Sequence, residues 1–433
     1  MMRQSAIRNP ESAIVSMARP RTEAAWFLAG VLALMTMGVI MVFSASRCVD
    51  ASVDGYYFAR HLVWLPAALV VLAGATFLPY RWLRAWWVAL GLIVAAAALL
   101  GLVLEFGAER NHAMRWFAWT LGGMSISFQP SEFAKLALVV FLGWFFTRHE
   151  RPGMKSGGFV PRTESRGTHP PALRASSRGI RAFGQHFKRH LGDPTRFWLG
   201  FAPAMIVTGG VCVLIAKEDF GTAALVGAVA IALCLVAGCR AWHVLTALPF
   251  AGLGFWWFVY RVDYRWERIT AFLDPWKHQD GAGWHIAQSL MAIGRGGIFG
   301  VGLGAGVQKF YVPENATDFI FSVICEETGI AGGILILGLF GFLVWRGGRI
   351  VAAAPDRFGF LLAAGLLLVI GLQAVMNIGV VSGSLPAKGI GLPFVSYGGS
   401  GLVMMSAAAG LLASVARRAV APVPSAQPLV YRP

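Results

Sequence analysis

The sequence predicts an all-α, polytopic membrane protein of about ten transmembrane helices with a large re-entrant outer loop. Three observations predict it. Hydrophobic residues make up 57% of the 433, charged residues only 13%, and mean hydropathy is +0.63, whereas a soluble domain carries about 25% charged residues. The apolar residues gather into runs near the roughly 20 needed to cross hydrocarbon. The basic residues, 37 against 21 acidic, concentrate in alternate segments between those runs. A soluble domain is excluded. So is a membrane barrel, because no stretch shows its ten-residue alternation.

In chain order the runs fall at about 25–46, 62–79, 85–104, 131–147, 198–216, 220–238, 243–260, 319–345, 358–377 and 400–416. The fourth and sixth are short or interrupted. Each is expected to be a helix, since an open sheet leaves backbone groups unsatisfied in lipid. With the N-terminus inside, the cytoplasmic pieces are 1–24, 80–84, 148–197, 239–242, 346–357 and 417–433. They hold 24 of the 37 Lys and Arg but 6 of the 21 acidic residues. That asymmetry sets the orientation: tails 1–24 and 417–433 and the basic loop 148–197 inside, the long segment 261–318 outside, around a transmembrane domain spanning 25–416.

The same asymmetry assigns the high pI of about 10.3 to the membrane and not to nucleic acid. Segment 148–197 is rich in Pro, Gly, Ser and Arg and lacks aromatic interleaving, so it reads as a solvated loop at the lipid surface. Ser44-Ala45-Ser46 looks like a signal cleavage site, but the preceding apolar run exceeds the 7–15 residues of a signal peptide and reads as a retained span. The cysteines, at positions 48, 212, 234, 239 and 325, are scattered and odd in number, and suggest neither a disulfide framework nor a metal site.

Four segments depart from lipid-facing helix. Asn111–Lys135 carries Arg115-Trp116, then Gln129-Pro130-Ser131-Glu132 and Lys135. Glu132 and Lys135 stand at i, i+3, so the plain reading is a pair neutralising itself at the top of a span. Lys217-Glu218-Asp219-Phe220-Gly221-Thr222 is a charged knot that spacing alone cannot distinguish from a short loop. Segment 261–318 is far longer than an ordinary structureless loop, and such loops are normally functional. Its Gly-rich stretch with Arg295 and Lys309 suits phosphate. Asp318, just before a long apolar run, reads equally as a helix cap or as a carboxylate at the membrane boundary. Asn377–Ser400 is apolar, yet its prolines and glycines forbid a regular helix, so it reads as a broken segment lining a cavity. Lys388, its sole charge, needs an anion: a structural carboxylate or a bound phosphate. Glu326-Glu327 falls about two turns inside the eighth run, and at least one of the two must point into the protein.

Taken together, these pieces resemble the SEDS family (shape, elongation, division and sporulation proteins), over about residues 25–416. The resemblance rests on Val42-Phe43-Ser44-Ala45-Ser46, Arg115-Trp116 with Gln129-Pro130-Ser131-Glu132, and Asp219-Phe220-Gly221-Thr222-Ala223. It continues through Gln288-Ser289-Leu290, Thr317-Asp318-Phe319-Ile320-Phe321 and Asn377–Ser400. One piece alone is weak; six in order are specific. Gln308-Lys309 and Pro386-Ala387-Lys388-Gly389 look more like the division (FtsW-type) branch than the rod-elongation (RodA-type) branch. Two departures stand out. Asn315-Ala316 occupies the place of the family's Ala-His, and Lys217-Glu218-Asp219 that of its Gln-Pro-Asp.

The resemblance implies a glycosyltransferase of the bacterial cytoplasmic (inner) membrane, at the division septum. It polymerises lipid II, the undecaprenyl-pyrophosphate-linked disaccharide-pentapeptide, into glycan strands on the outer face. It implies as partners a class B penicillin-binding protein transpeptidase and other division proteins, and no nucleic acid. It maps the catalytic base onto Asp318, and Arg115, Lys135, Arg295, Lys309, Lys388 and Glu314 are expected around the substrate, the cations beside the pyrophosphate. No cofactor is required by the sequence, and no residue is assigned to metal; a divalent cation (Mg or Mn) could help hold the pyrophosphate. The competing readings are a lipid II flippase, for which Glu326, Glu327 and Lys135 would mark a polar path, an elongation-type polymerase, and a scaffold without chemistry.

Overall fold

The computed structural model describes residues 20–46, 55–110, 113–121, 124–148, 191–281, 283–312, 314–386 and 389–419. Most of the 148–197 loop, most of both tails, and Lys388 lie outside the described residues. Helices α1 (Pro20–Ala45), α2 (Tyr56–Phe77) and α3 (Trp86–Phe106) come first. A small antiparallel sheet follows, β1 (Ala108–Arg110), β2 (Ala113–Leu121) and β3 (Met124–Phe128), in the order β1-β2-β3. It leads into α4 (Pro130–Thr147), where Pro130 takes the first turn, a position that needs no amide hydrogen. A π turn at Phe197–Phe201 opens α5 (Ala202–Ala216), and α6 (Phe220–Val236) returns. The seventh crossing is broken into α7 (Ala241–Leu245) and α8 (Leu248–Phe255), running into a π turn at Trp256–Tyr260. The outer segment holds α9 (Asp263–Leu273) and α10 (Trp284–Gly296), and α11 (Ile320–Ala352), α12 (Arg357–Val381) and α13 (Gly399–Arg418) complete the chain.

Among the described residues nine helical stretches are long and apolar enough to cross a membrane, and α6, at 17 residues, is a shorter tenth. These ten stretches overlap the ten apolar runs. Two details differ from the sequence reading. The segment before α4 is a sheet, although an all-α chain is expected, and 261–318 is not structureless. Both α9 and α10 lack a long apolar run; α9 is mostly exposed, whereas α10 is packed into the protein, with Ile286, Ala287, Gln288, Ser289, Ala292 and Gly296 buried and only Gly294 and Arg295 exposed.

Lipid is as apolar as leucine, so packing rather than hydrophobicity must hold the bundle. Helix α4 is central, with 89% of its apolar window buried, against 11% for α7–α8 at the lipid-facing edge. The most extensive packing joins α2 to α13 and α1 to α11. At Gly410 any Cβ would stand 2.5 Å from the Leu72 carbonyl, so α2 and α13 approach backbone to backbone. One end of the bundle collects paired cations: Arg346 and Arg349 reach Glu23 at 3.0 and 3.1 Å, and Arg357 Nη2 donates to the Ala237 carbonyl at the end of α6, at 2.8 Å. This is the end assigned to the cytoplasm by charge. The sheet, α9 and α10 lie at the opposite end.

Helix α11 has 33 residues, about 50 Å at 1.5 Å per residue, too long for one crossing. It is interrupted at Gly329, which adopts φ 71° and ψ −170°. The Gly-rich stretch fills the break: Val301 N and Gly302 N donate to the carbonyls of Glu326 and Glu327 at 3.0 Å each. In return Ile330 N and Ala331 N donate to the carbonyls of Gly297 and Ile298 at 2.9 and 3.1 Å. Irregular backbone at membrane depth survives only when satisfied in this way. Gly329 and Gly300 allow the approach, since a Cβ on either would meet backbone atoms within 2.3 Å.

Candidate active site at the outer end of the bundle

Asp318 ends the outer segment and precedes α11, where its main chain is held rigidly. The Ala316 carbonyl accepts from Tyr397 N at 2.8 Å, the Thr317 carbonyl from Ser396 Oγ at 2.5 Å, and the Asp318 carbonyl from Asn377 Nδ2 at 2.7 Å. The helix start carries no side-chain cap, so the capping reading of Asp318 does not describe its carboxylate. That carboxylate packs against Gly389: a Cβ there would stand 2.9 Å from Asp318 Oδ2 and 3.7 Å from Arg115 Nη1.

Arg115 is delivered by β2. Its Nε donates to the Glu218 carbonyl at 2.9 Å, and Met114 N donates to Glu218 Oε2 at 2.8 Å, so the sheet is pinned to the charged knot between α5 and α6. In that knot Asp219 caps α6, accepting from Thr222 N and Oγ1 at 3.0 and 2.7 Å. Arg265, from α9, donates to the carbonyls of Ala216 and Lys217 at 2.9 and 2.6 Å, where α5 ends and a cation suits the helix dipole.

These groups enclose a recess of about 150 Å³ that Asp318 does not itself line; the carboxylate lies behind Gly389 and Arg115, which do. Arg115, Glu218, Asp219, Arg265, Arg268 and Gly389 supply its polar wall, and Phe220, Phe255, Val259 and Ile269 its apolar one. The electrostatics mark Asp318. Burial, then the neighbouring anions Glu314 and Asp219, push its carboxyl up to about 7, against the opposing pull of Arg115 and Arg268. A carboxylate titrating near neutrality beside a recess is suited to taking up a proton.

Of the other expected residues, Glu314 stands close, in a left-handed conformation (φ 54°), its carbonyl accepting from Thr317 N at 3.1 Å. Lys135, Arg295 and Lys309 do not line the recess. Lys135 Nζ is buried and donates to Glu132 Oε1 at 2.8 Å and Gln373 Oε1 at 2.5 Å, the self-neutralising pair of the plain reading, extended to α12. Lys309 is 1% exposed and donates to Glu327 Oε1 at 2.9 Å, Gly304 O at 3.0 Å and Ser44 Oγ at 3.2 Å. Glu326 accepts from Val307 N and Gln308 N at 2.8 and 3.0 Å, with Arg295 Nε 3.8 Å away. The Glu326-Glu327 pair is therefore the anchor for the Gly-rich stretch. Its cations answer to protein carboxylates rather than to a free phosphate site. Among the described residues no group of three or more His, Cys, Asp or Glu could hold a metal ion; Glu218 and Asp219 are already bonded to amides.

Residues 25–420 match the model of the FtsW/RodA/SpoVE family, described as a cell cycle protein. The chain belongs to this family. It is 37% identical over 392 residues to the stage V sporulation protein E of Bacillus subtilis (strain 168), covering 89% of this chain and 94% of that protein. It is 36% identical over 394 residues to a probable peptidoglycan glycosyltransferase FtsW of Geobacter sp. (strain M18), again covering 89% and 94%. Among solved structures it is similar to a chain described under structural coordination of polymerization and crosslinking by a peptidoglycan synthase complex. There the TM-score is 0.67 at 28% identity, over 90% of this chain and 96% of that one. It is also similar to the rod shape determining protein RodA of Thermus thermophilus, with a TM-score of 0.58 at 26% identity, over 91% and 96%.

Within this FtsW/RodA/SpoVE fold, sequence reasoning missed the recess role of Asp219, Arg265 and Arg268. Asp219 was visible in the charged knot and Arg268 in the run Arg261–Arg268, but only the fold brings them to Arg115. An imidazole reaches the motif from α10, as His285 stacks on Phe319 with ring centroids 5.7 Å apart.

Proposed function

We propose that this FtsW/RodA/SpoVE member polymerises lipid II into glycan strands, with Asp318 as general base. One observation carries the reading: a carboxylate raised to about 7 stands behind a recess whose polar wall sets three arginines against two carboxylates and whose other wall is apolar, at the end of the bundle assigned to the outside. A lipid-linked pyrophosphate has that same division of polarity. The recess, at about 150 Å³, is smaller than the roughly 300–1,000 Å³ of drug-sized ligand sites, so it suits the pyrophosphate and first isoprene units while the sugars lie beyond it.

In the step proposed, the acceptor's 4-hydroxyl oxygen bonds to the anomeric carbon of the donor sugar as the bond from that carbon to the pyrophosphate oxygen breaks. The hydroxyl proton passes to Asp318, and the pyrophosphate leaves as an anion beside Arg115 and Arg268, whose fixed charges stabilise it. Raising the carboxyl toward 7 makes Asp318 a stronger base while leaving about half of it ionised at neutral pH. The carboxylates of the recess, Glu218 and Asp219, accept from the Met114 and Thr222 amides and do not make a cation cage.

We assign the chain to the division branch, acting at the septum with a class B penicillin-binding protein transpeptidase. Gln308-Lys309, Pro386-Ala387-Lys388-Gly389 and the FtsW names among the relatives support this, and an elongation role is the alternative. The flippase reading loses ground because Lys135, Lys309, Glu326 and Glu327 are engaged in local ion pairs and backbone anchors. The test is to purify the full chain with its transpeptidase and supply lipid II. Glycan product that is lost on Asp318→Ala supports the reading; lipid II translocation without product would replace it.

A further inference from the structure

We propose that Asn377 is a positioning residue for the Asp318 site: its side-chain amide sets the separation between the Asp318 peptide and the Gly389-Ile390 wall, and so the pose of the carboxylate beside Arg115. The inference rests on the reading of Asp318 as base and extends it to a residue on another helix.

Asn377 is 1% exposed and lies near the outer end of α12. Its Nδ2 carries two hydrogens, and both are used: one goes to the Asp318 carbonyl at 2.7 Å and the other to the Ile390 carbonyl, also at 2.7 Å. Two carbonyl acceptors fix the orientation of the amide, since the flipped form would set oxygen against oxygen. Its Oδ1 is left buried without a donor, an expensive arrangement for a residue that merely fills space. The amide thus joins two stretches of irregular backbone 59 and 13 residues away in sequence. Gly389 adjoins the second: a Cβ there would come within 2.9 Å of Asp318 Oδ2, so the carboxylate uses the space that the missing side chain leaves, and the spacing of the two stretches sets that space.

Ser396 and Tyr397 hold the two preceding carbonyls, and Ser396 Oγ also accepts from Leu392 N at 2.7 Å, but Asn377 alone of the three bonds Asp318 and Ile390 themselves. Removing the Asn377 amide releases the Asp318 and Ile390 carbonyls while the Ser396 bridge and the Gln373 bond to the Gly391 carbonyl stay in place. The charged groups around Asp318 come from every side: Glu314 in its own loop, Asp219 at the start of α6, Arg115 on β2 and Arg268 on α9. A small shift of the carboxylate changes its distance to all four and admits water, which favours the ionised form.

The experiment measures kcat, KM for lipid II and the pH–rate profile of the purified full chain bearing Asn377→Ala, with Asp318→Asn alongside. Misplacing a reacting group by about 1 Å can cost on the order of 100-fold in rate. The expected result is a kcat at least about tenfold lower, a KM changed by less than about threefold, and an acid limb moved to lower pH. If Asn377→Ala does not fold, Asn377→Leu, similar in size, uncharged and without the donors, is read in its place. Wild-type kcat, or a lower kcat with an unmoved acid limb, overturns the positioning role while leaving an inactive Asp318→Asn to support the base. An active Asp318→Asn protein removes the base, and this inference with it.

Discussion

Lys309 offers a sharp separation between substrate binding and architecture. Its ammonium is fully buried and bonded to Glu327, Ser44 and the Gly304 carbonyl. Lys309→Met keeps most of the stem and removes the charge, so Glu327 stays buried with hydroxyl and amide donors but no cation. Removing one partner of a buried ion pair costs about 3–5 kcal/mol, because the other charge is stranded. The network also ties the Gly-rich stretch to α1, so the loss falls on the break in α11. We therefore expect a drop of several degrees in apparent melting temperature, measured in detergent at one scan rate because such unfolding is commonly irreversible. The double substitution Lys309→Met/Glu327→Gln should recover most of it, since two neutral groups need no ion partner. Refutation would be a Lys309→Met protein that melts like wild type while its KM for lipid II rises severalfold, which would put the ammonium at the substrate.

Three further outcomes follow from the Asp318 environment. Gly389→Ala adds a methyl 2.9 Å from Asp318 Oδ2; the carboxylate can swing aside, so folding should survive in a thermal scan while turnover falls at least about tenfold. Polymerisation should rise with pH through an acid limb near pH 7, because the base must be ionised and its carboxyl is raised to about 7. Glu314→Gln removes one of the anions that raises it, so the limb should move to lower pH with a smaller effect on the plateau. An unmoved limb would show that Glu314 does not act on Asp318.

The crossings were legible in the sequence because a spanning helix announces itself by apolar length alone. Asp318 stands out as the last carboxylate before such a run, but its position fits a helix cap equally well, and its role as base comes from the family resemblance. The strands β1–β3 were not: they are short, carry Arg115 and Trp116 on a membrane-boundary surface, and their best signal, Gly122-Gly123 between the paired Leu121 and Met124, is weak beside the helical runs around it. The partners of the cations were hidden for a different reason. Lys135 and Glu132 are neighbours on one helix, and their pairing could be read from spacing. Lys309 finds Glu327 18 residues on and Ser44 265 residues back, and no local pattern encodes that convergence. The recess likewise draws Arg115, Asp219 and Arg268 from a strand and two helices. Lys388 lies outside the described residues, and its expected anion is still a matter for substitution and kinetics.

The account stands on Asp318 as the base, and Asp318→Asn tests it most directly. Asparagine keeps the shape and the main-chain clamp and removes the proton acceptor. Glycan formation from lipid II by the purified full chain with its transpeptidase should fall by about two to four orders of magnitude, with expression and melting temperature retained. A folded Asp318→Asn protein that polymerises lipid II at near the wild-type rate would contradict the assignment.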